Sequence, residues 1–377
     1  MRLLSLSLPL AVAASSLLVG APSASAATGT VLSQSPVPAA QLPTGAARAV
    51  KVLYATRDQR GRPAKSTGVV YFPRGAAPAG GWRVVSWAHG TSGIAPKCAP
   101  SAFPKSHIDK FEPNVAGALR DGYVVTASDY IGMGGGGTTE YLGGRSAAYN
   151  VIDMVRAARH VDPTIGRRWA SLGHSQGGHA ALWAARVAPR YAPELPMVGA
   201  VAMAPASQVP TTMTALQRPG LPNLGPGNAM TAFSMYALSG LDHVYPSLRV
   251  KQYLSPLGRR WLARAADLCV TDAVTALKSV PPGSLYIRST ADSPRFMAAL
   301  REYSGIPASG FRRPVRLQQG LADPIVPAAA TATLLDQLRA GGAAVSAGWY
   351  PGDHHAVTRE SLADTMAIVD GYFRPRR

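Results

Sequence analysis

The hexapeptide Gly173-His174-Ser175-Gln176-Gly177-Gly178 places a serine between glycines, after an apolar run and before an alanine-rich one. This G-x-S-x-G pattern acquires meaning when a buried strand ends at the first glycine and a helix opens after the serine. The sharp turn between them pushes the hydroxyl outward. Glycines at 173 and 177 leave out side chains that would clash in so tight a turn, and the positive end of the helix lies beneath developing negative charge. Ser175 is therefore the expected nucleophile. Its hydroxyl attacks only when a base takes its proton, and a carboxylate must orient that base.

On such a turn the chain order is serine, acid, histidine. Asp323 follows an apolar run in Gly320-Leu321-Ala322-Asp323-Pro324 and is the expected acid. The next run ends in Tyr350-Pro351-Gly352-Asp353-His354-His355, which supplies the histidine. Neighbouring loop side chains point apart, so only one ring can meet Ser175: His354 is the expected base and His355 the alternative. Asp129 precedes the serine and Asp353 is not at its strand's end; both are rival acids expected to bond within loops. No HExxH pattern or Cys/His cluster supports a metal at Asp353, His354 and His355, so neither metal nor cofactor is expected.

Two backbone N–H groups should meet the oxyanion. One belongs to Gln176, directly after the nucleophile; the other comes from His89-Gly90-Thr91-Ser92-Gly93, where Thr91 is nominated. His89 is expected to be a packed loop histidine, and Ser92 a lesser rival nucleophile with no helix after it. The run Gly132-Met133-Gly134-Gly135-Gly136-Gly137 lacks the Lys-Ser/Thr of a phosphate loop and is expected at the rim of the site.

Positioning these residues requires a sheet. Strand patterns fall at residues 50–55, 66–72, 83–88, 123–128, 169–173, 198–204, 315–319 and 344–350. Helical patterns fall at 113–120, 146–161, 178–187, 328–340 and 362–373. Short apolar strands alternating with helices predict an α/β architecture with a largely parallel sheet. The rhythm breaks over 206–312, where helical patterns at 228–241, 259–279 and 294–303 stand between Pro/Gly-rich connectors. The expected division is a core of 47–205 and 313–377, a helical cap or lid of 206–312, and a surface leader of 27–46.

Residues 1–26 form the pattern of a secretory signal: Arg2, an apolar run to Gly20, and Ala24-Ser25-Ala26 at the cleavage site. Export brings Cys98 and Cys269, the two cysteines, into an oxidising compartment, where a disulfide closing so long a loop is worth about 5 kcal/mol. It would fasten cap to core. No later stretch approaches the roughly 20 apolar residues of a membrane span. The chain of 377 residues carries 38 Lys+Arg against 20 Asp+Glu, a net +18. The basic residues are scattered without a run or stacking motif, so nucleic acid is not an expected partner. The expected attraction is to anionic lipid or cell-envelope surfaces. A 47% hydrophobic composition excludes disorder, and two cysteines exclude a disulfide-dense miniature scaffold.

The whole set resembles the secretory lipase family, the lipase A type of α/β-hydrolase. The resemblance rests on the signal, on Ala88-His89-Gly90-Thr91-Ser92-Gly93 followed by Cys98-Ala99-Pro100-Ser101, and on Ser128-Asp129-Tyr130-Ile131-Gly132. Gly173-His174-Ser175-Gln176-Gly177-Gly178 and Asp323 with a late histidine complete it. It covers residues 45–375. In similar sequences the histidine precedes Ser-Leu-x-Asp; here Ser361-Leu362-Ala363-Asp364 points back to His354. The resemblance implies an α/β-hydrolase fold with a helical cap between its sixth and seventh strands, and hydrolysis of hydrophobic esters by a secreted enzyme, expected as a monomer. A secreted acyltransferase, a serine peptidase and a non-catalytic binding module are the alternatives.

Overall fold

The computed structural model describes residues 26–218, 221–222 and 229–374; apart from Ala26, the expected signal lies outside the described residues. Among these, nine strands form one sheet: β1 (Val31–Pro36), β2 (Arg48–Arg57), β3 (Pro63–Phe72), β4 (Trp82–Ala88), β5 (Val124–Ile131), β6 (Ile165–His174), β7 (Met197–Met203), β8 (Val315–Gly320) and β9 (Val345–Tyr350). Their order is β1-β2-β3-β5-β4-β6-β7-β8-β9. The first three strands are antiparallel and β3 joins β5 antiparallel; every pairing from β5 through β9 is parallel.

Burial explains why these segments become strands. All seven residues of β7 are buried, as expected for a central parallel strand covered on both faces. Alternation sorts the side chains: Val84, Ala88, Trp169, Ala200 and Leu317 join one apolar cluster, while Val85, Trp87, Leu172, Val201 and Met203 join another. Helices Gly144–Val161, Gln176–Tyr191 and Ala328–Ala340 supply the first cluster; Pro113–Arg120 and Leu362–Phe373 supply the second. The α/β expectation holds, with helices on both faces of the sheet.

Between β7 and β8 the described residues contain helices and no strand, including Val209–Ala215, Ala229–Val244, Pro256–Ala265, Val270–Leu277 and Pro294–Ser304. They enclose a third apolar cluster, with Met235, Leu241, Phe296 and Leu300 fully buried among core residues Ile94, Tyr141 and Leu142. A disulfide joins Cys98 to Cys269 across 171 residues, with Cα atoms 5.4 Å apart. Beside it, Val270 N–H donates to Ser92 O at 2.9 Å. The core loop after β4 is thus tied to the helical insert by a covalent and a hydrogen bond.

Three local readings differ from expectation. The leader contributes β1, an exposed edge strand that exists by pairing with β2 rather than by burying side chains. The single helical pattern at 259–279 is two helices, because Cys269 is extended (φ −75°, ψ 164°) where the disulfide and the Gly93 bridge hold it. The first half of the glycine run is built in, while Gly136 and Gly137 are exposed with open space beside them. Met133 is fully buried, and side chains at Gly132 or Gly134 would fall on Thr139 or Thr67.

Candidate active site

Parallel pairing sets Ala88 beside Gly173, His174 beside Met203 and Gly320 beside Tyr350, so the carboxyl ends of β4, β6, β7, β8 and β9 form one edge. Chemistry in such sheets gathers at that edge. At its centre Ser175 leaves β6 with φ 57° and ψ −118° before helix Gln176–Tyr191 begins. That conformation is costly for a residue with a side chain, by about 1–3 kcal/mol. The surroundings hold it there: Ser175 N–H donates to Met203 O at 2.9 Å, and Ser175 O accepts from His179 and Ala206 N–H at 3.1 Å. The glycines are required sterically. A Cβ on Gly177 would fall on Ala88 O, and one on Gly173 would fall on Gly177 O.

Asp323 and His354 come together from the loops after β8 and β9, with His354 Nδ1 2.7 Å from Asp323 Oδ2. Gln319 Nε2 donates to the same Oδ2 at 3.0 Å, while Ile325 and Val326 N–H both donate to Oδ1 at 2.8 Å. Burial is the largest influence on the Asp323 carboxyl and opposes its charge. The hydrogen bond and charge of His354, with the Val326 and Ile325 amides, outweigh it and hold the group below its usual value. Its ionised form therefore faces the imidazole. His355 is exposed, and its N–H merely donates to Asp353 Oδ1 at 2.9 Å. Asp353 caps that turn, and Asp129 is buried, accepting from Thr67 Oγ1 at 2.6 Å and Ser101 N–H at 2.9 Å. Neither rival acid bonds a histidine side chain at these contacts.

Ser175 and His354 line one cavity of about 530 Å³, together with Gly90, Thr91, Ser92, His174 and His355. A Cβ on Gly90 would stand 3.9 Å from Ser175 Cβ, which measures how closely the β4 loop approaches Ser175. Thr91 Oγ1 and Tyr141 OH are 2.7 Å apart, so this loop is braced from its side chain. Gln176 opens the helix directly after the serine. Ser92 points its hydroxyl to Met133 Sδ at 3.7 Å and is not on a turn entering a helix. His89 is packed as expected: Nδ1 lies 2.6 Å from Gly90 O, and burial, then the charge of His107, push its pKa down to about 3. Among the described residues no cluster of His, Cys, Asp and Glu has the makings of a metal site. Nor is any helix among them long and apolar enough to cross a membrane.

Three contributors carried no usable signal in the sequence. His174 Nε2 lies 2.7 Å from His354 O, and burial, then the charge of His354, hold that ring well below the usual histidine value. A neutral ring thus fastens the histidine loop to the serine turn. Gln319 is anchored in turn by Thr331 Oγ1, which donates to Gln319 Oε1 at 2.6 Å. Tyr141 packs against Phe233 and Tyr236 of the insert while its hydroxyl meets Thr91.

Strand order and serine turn together give the chain an α/β-hydrolase fold. Residues 106–284 match the secretory lipase family. That match spans 179 of the 377 residues, a little under half of the chain. Over 317 residues it is 26% identical to a protein named a probable inactive lipase from Mycobacterium tuberculosis, covering 79% of this chain and 67% of that one. It is 27% identical to a trichothecene C-3 esterase of Fusarium sporotrichioides, over 60% of this chain and 51% of the relative. The chain thus spans between about half and two thirds of the length of these two relatives. The closed state of Candida antarctica lipase A superimposes with a TM-score of 0.77 at 22% identity, covering 93% of this chain and 84% of that one.

Proposed function

We propose that the protein is a secreted carboxylic-ester hydrolase working through Ser175, His354 and Asp323. The observation that carries this reading is the 2.7 Å Asp323–His354 pair, whose histidine lines the cavity that also holds the strained serine turn. His354 Nε2 takes the Ser175 proton as Oγ attacks the ester carbonyl, and Asp323 stabilises the imidazolium. The amides of Gln176 and Thr91 receive the tetrahedral oxyanion. His354 returns its proton to the departing alcohol; water then repeats the sequence and releases the acid.

The residues after β7 and before β8 act as the cap of 206–312, and the core is 47–205 with 313–377. The apolar third cluster supports a cap that receives hydrophobic substrate. Export follows from the signal pattern and accords with the family's name. The net +18 draws the enzyme to anionic lipid or envelope surfaces, so cleavage on anionic vesicles should weaken with salt. A relative named as an inactive lipase makes the direct test necessary. A fluorophosphonate probe should label the intact protein and fail on Ser175→Ala. p-Nitrophenyl ester hydrolysis should collapse in His354→Ala and persist in His355→Ala. Absence of both labelling and ester cleavage in the intact protein would sink the reading, and the reverse histidine result would move the base to His355.

A further inference from the structure

Two cavities meet at Ser175, and they differ in kind. One is a slot of about 50 Å³ walled mainly by Met213, Leu216, Met230, Phe233 and Val326, with Ser207, Thr212 and Ser234 among them. The other is the open cavity of about 530 Å³. The reaction assigns them, on the ester-hydrolase reading above. The leaving alcohol must receive its proton from His354, so it lies on the histidine's side of the nucleophile. His354 and Thr91 line the wide cavity and are absent from the slot's wall. The acyl chain therefore enters the slot, and the alcohol occupies the wide cavity.

Size and lining then set the chemistry. One water-sized sphere needs about 10–15 Å³ of such space, so the slot takes roughly three to five methylene-sized units. Both walls carry some hydroxyls, but the wide cavity is about ten times larger and adds aromatic surface and an ionisable pair. Phe103 and Phe111 stand at it with 63% and 46% of their surface exposed. Helix Val270–Leu277 contributes Val270 and Val274 beside Thr271 and Thr275, and a His107–Glu112 pair at 3.3 Å adds a polar end. Aromatic and aliphatic surface beside hydroxyls suits a ring system carrying polar groups better than a plain alkyl chain.

We propose that the substrates are short-chain acyl esters, with an optimum near four carbons, of bulky cyclic alcohols. Ser175 Oγ forms a bond to the acyl carbon, the carbon–oxygen bond to the ring alcohol breaks, and that oxygen leaves with the proton from His354. Water then attacks the acyl-enzyme, frees the short acid and restores the serine.

The test is a matrix of ethyl and menthyl esters of acids with two, four, eight and sixteen carbons, read as kcat/KM by titrating released acid. Menthyl butyrate should exceed ethyl butyrate by about 10-fold or more, and octanoate should fall at least about 10-fold below butyrate, the cost of overfilling an apolar pocket. Met213→Ala, which deepens the slot, should move the optimum two or three carbons longer. Val274→Trp, which fills the wide cavity, should lower the menthyl-to-ethyl ratio about 10-fold. Hexadecanoate turned over as fast as butyrate, a menthyl-to-ethyl ratio near one, or an optimum unmoved by Met213→Ala would each overturn the assignment. Fluorophosphonate labelling separates the failures. Without labelling and ester cleavage the hydrolase reading falls; with labelling and a flat matrix, the substrate class alone falls.

Discussion

Replacing both half-cystines, Cys98→Ser with Cys269→Ser, should lower thermal stability by an amount set by loop length. The bond closes 171 residues, and in the chain-entropy treatment a loop of that size is worth about 5 kcal/mol at 25 °C. The entropy of unfolding for a chain of this size is roughly 0.7 kcal/mol per kelvin, so Tm should fall by about 7 °C. The loss should not be spread evenly. Cys269 opens the helix whose Val270 N–H is bonded to Ser92 O, one residue from the nominated oxyanion donor Thr91. Ester hydrolysis should therefore fail at a lower temperature than the far-ultraviolet dichroism of the sheet. Scanning calorimetry on wild type, reduced wild type and the double variant, with activity sampled along the ramp, reads both effects. A Tm shift below about 2 °C in the reduced protein and the variant alike would refute the loop argument. Simultaneous loss of activity and dichroism would refute the local one.

Gln319→Leu removes the donor to Asp323 Oδ2, a hydrogen bond to a charged group worth about 1.5–3 kcal/mol; kcat should drop on the order of 10- to 100-fold with KM little changed. An unaltered kcat in a folded variant would show that the amide does not orient the acid. Burial is the main reason that Glu140, which accepts from Gln59 N–H at 2.7 Å, has its pKa raised from 4.5 to about 7. The fold thus favours its protonated form, giving stability that is full below about pH 4.5 and lost as pH rises through about 7, with a ceiling of roughly 3 kcal/mol. Glu140→Gln should gain in Tm relative to wild type between pH 5 and pH 8, and a difference that stays flat with pH would count against this. Ser175→Gly should abolish hydrolysis while raising Tm by one or two degrees, since glycine relieves the positive φ at some cost in chain entropy. A lower Tm would mean that the turn stores no strain.

How much of this could be read beforehand depended on whether a segment's structure was local in origin. Helices Pro113–Arg120, Ala328–Ala340 and Leu362–Phe373 match the expected bounds, because their signals are local: Pro113 opens the first, Pro327 and Gly341 bracket the second, and apolar spacing marks the third. The β1 strand was invisible because Ser33, Gln34 and Ser35 are exposed and only pairing with β2 extends them. Apolar spacing runs through Leu268, yet the first helix ends at Ala265 and the next opens after Cys269, whose backbone the bond to a distant thiol holds extended. The Asp323–His354 pair followed from chain order and strand ends. The preference for His354 over His355 rests on the Ser361-Leu362-Ala363-Asp364 spacing; that one ring is buried on the carboxylate while the other faces outward is visible only once the loop has folded. Gln319, His174 and Tyr141 stayed hidden for the same reason: each acts through a partner supplied by folding.

The position of the helical insert has a further meaning in time. Ser175 directly follows β6, whereas the proposed acid and base follow β8 and β9, the last strands to be synthesised. A growing chain forms the Ser175 turn early, but on the proposed mechanism that serine has no proton acceptor until the carboxyl-terminal strands have docked. An enzyme exported unfolded would thus be chemically silent in the cell that makes it. The appearance of ester cleavage would mark the moment when the final two strands join the sheet.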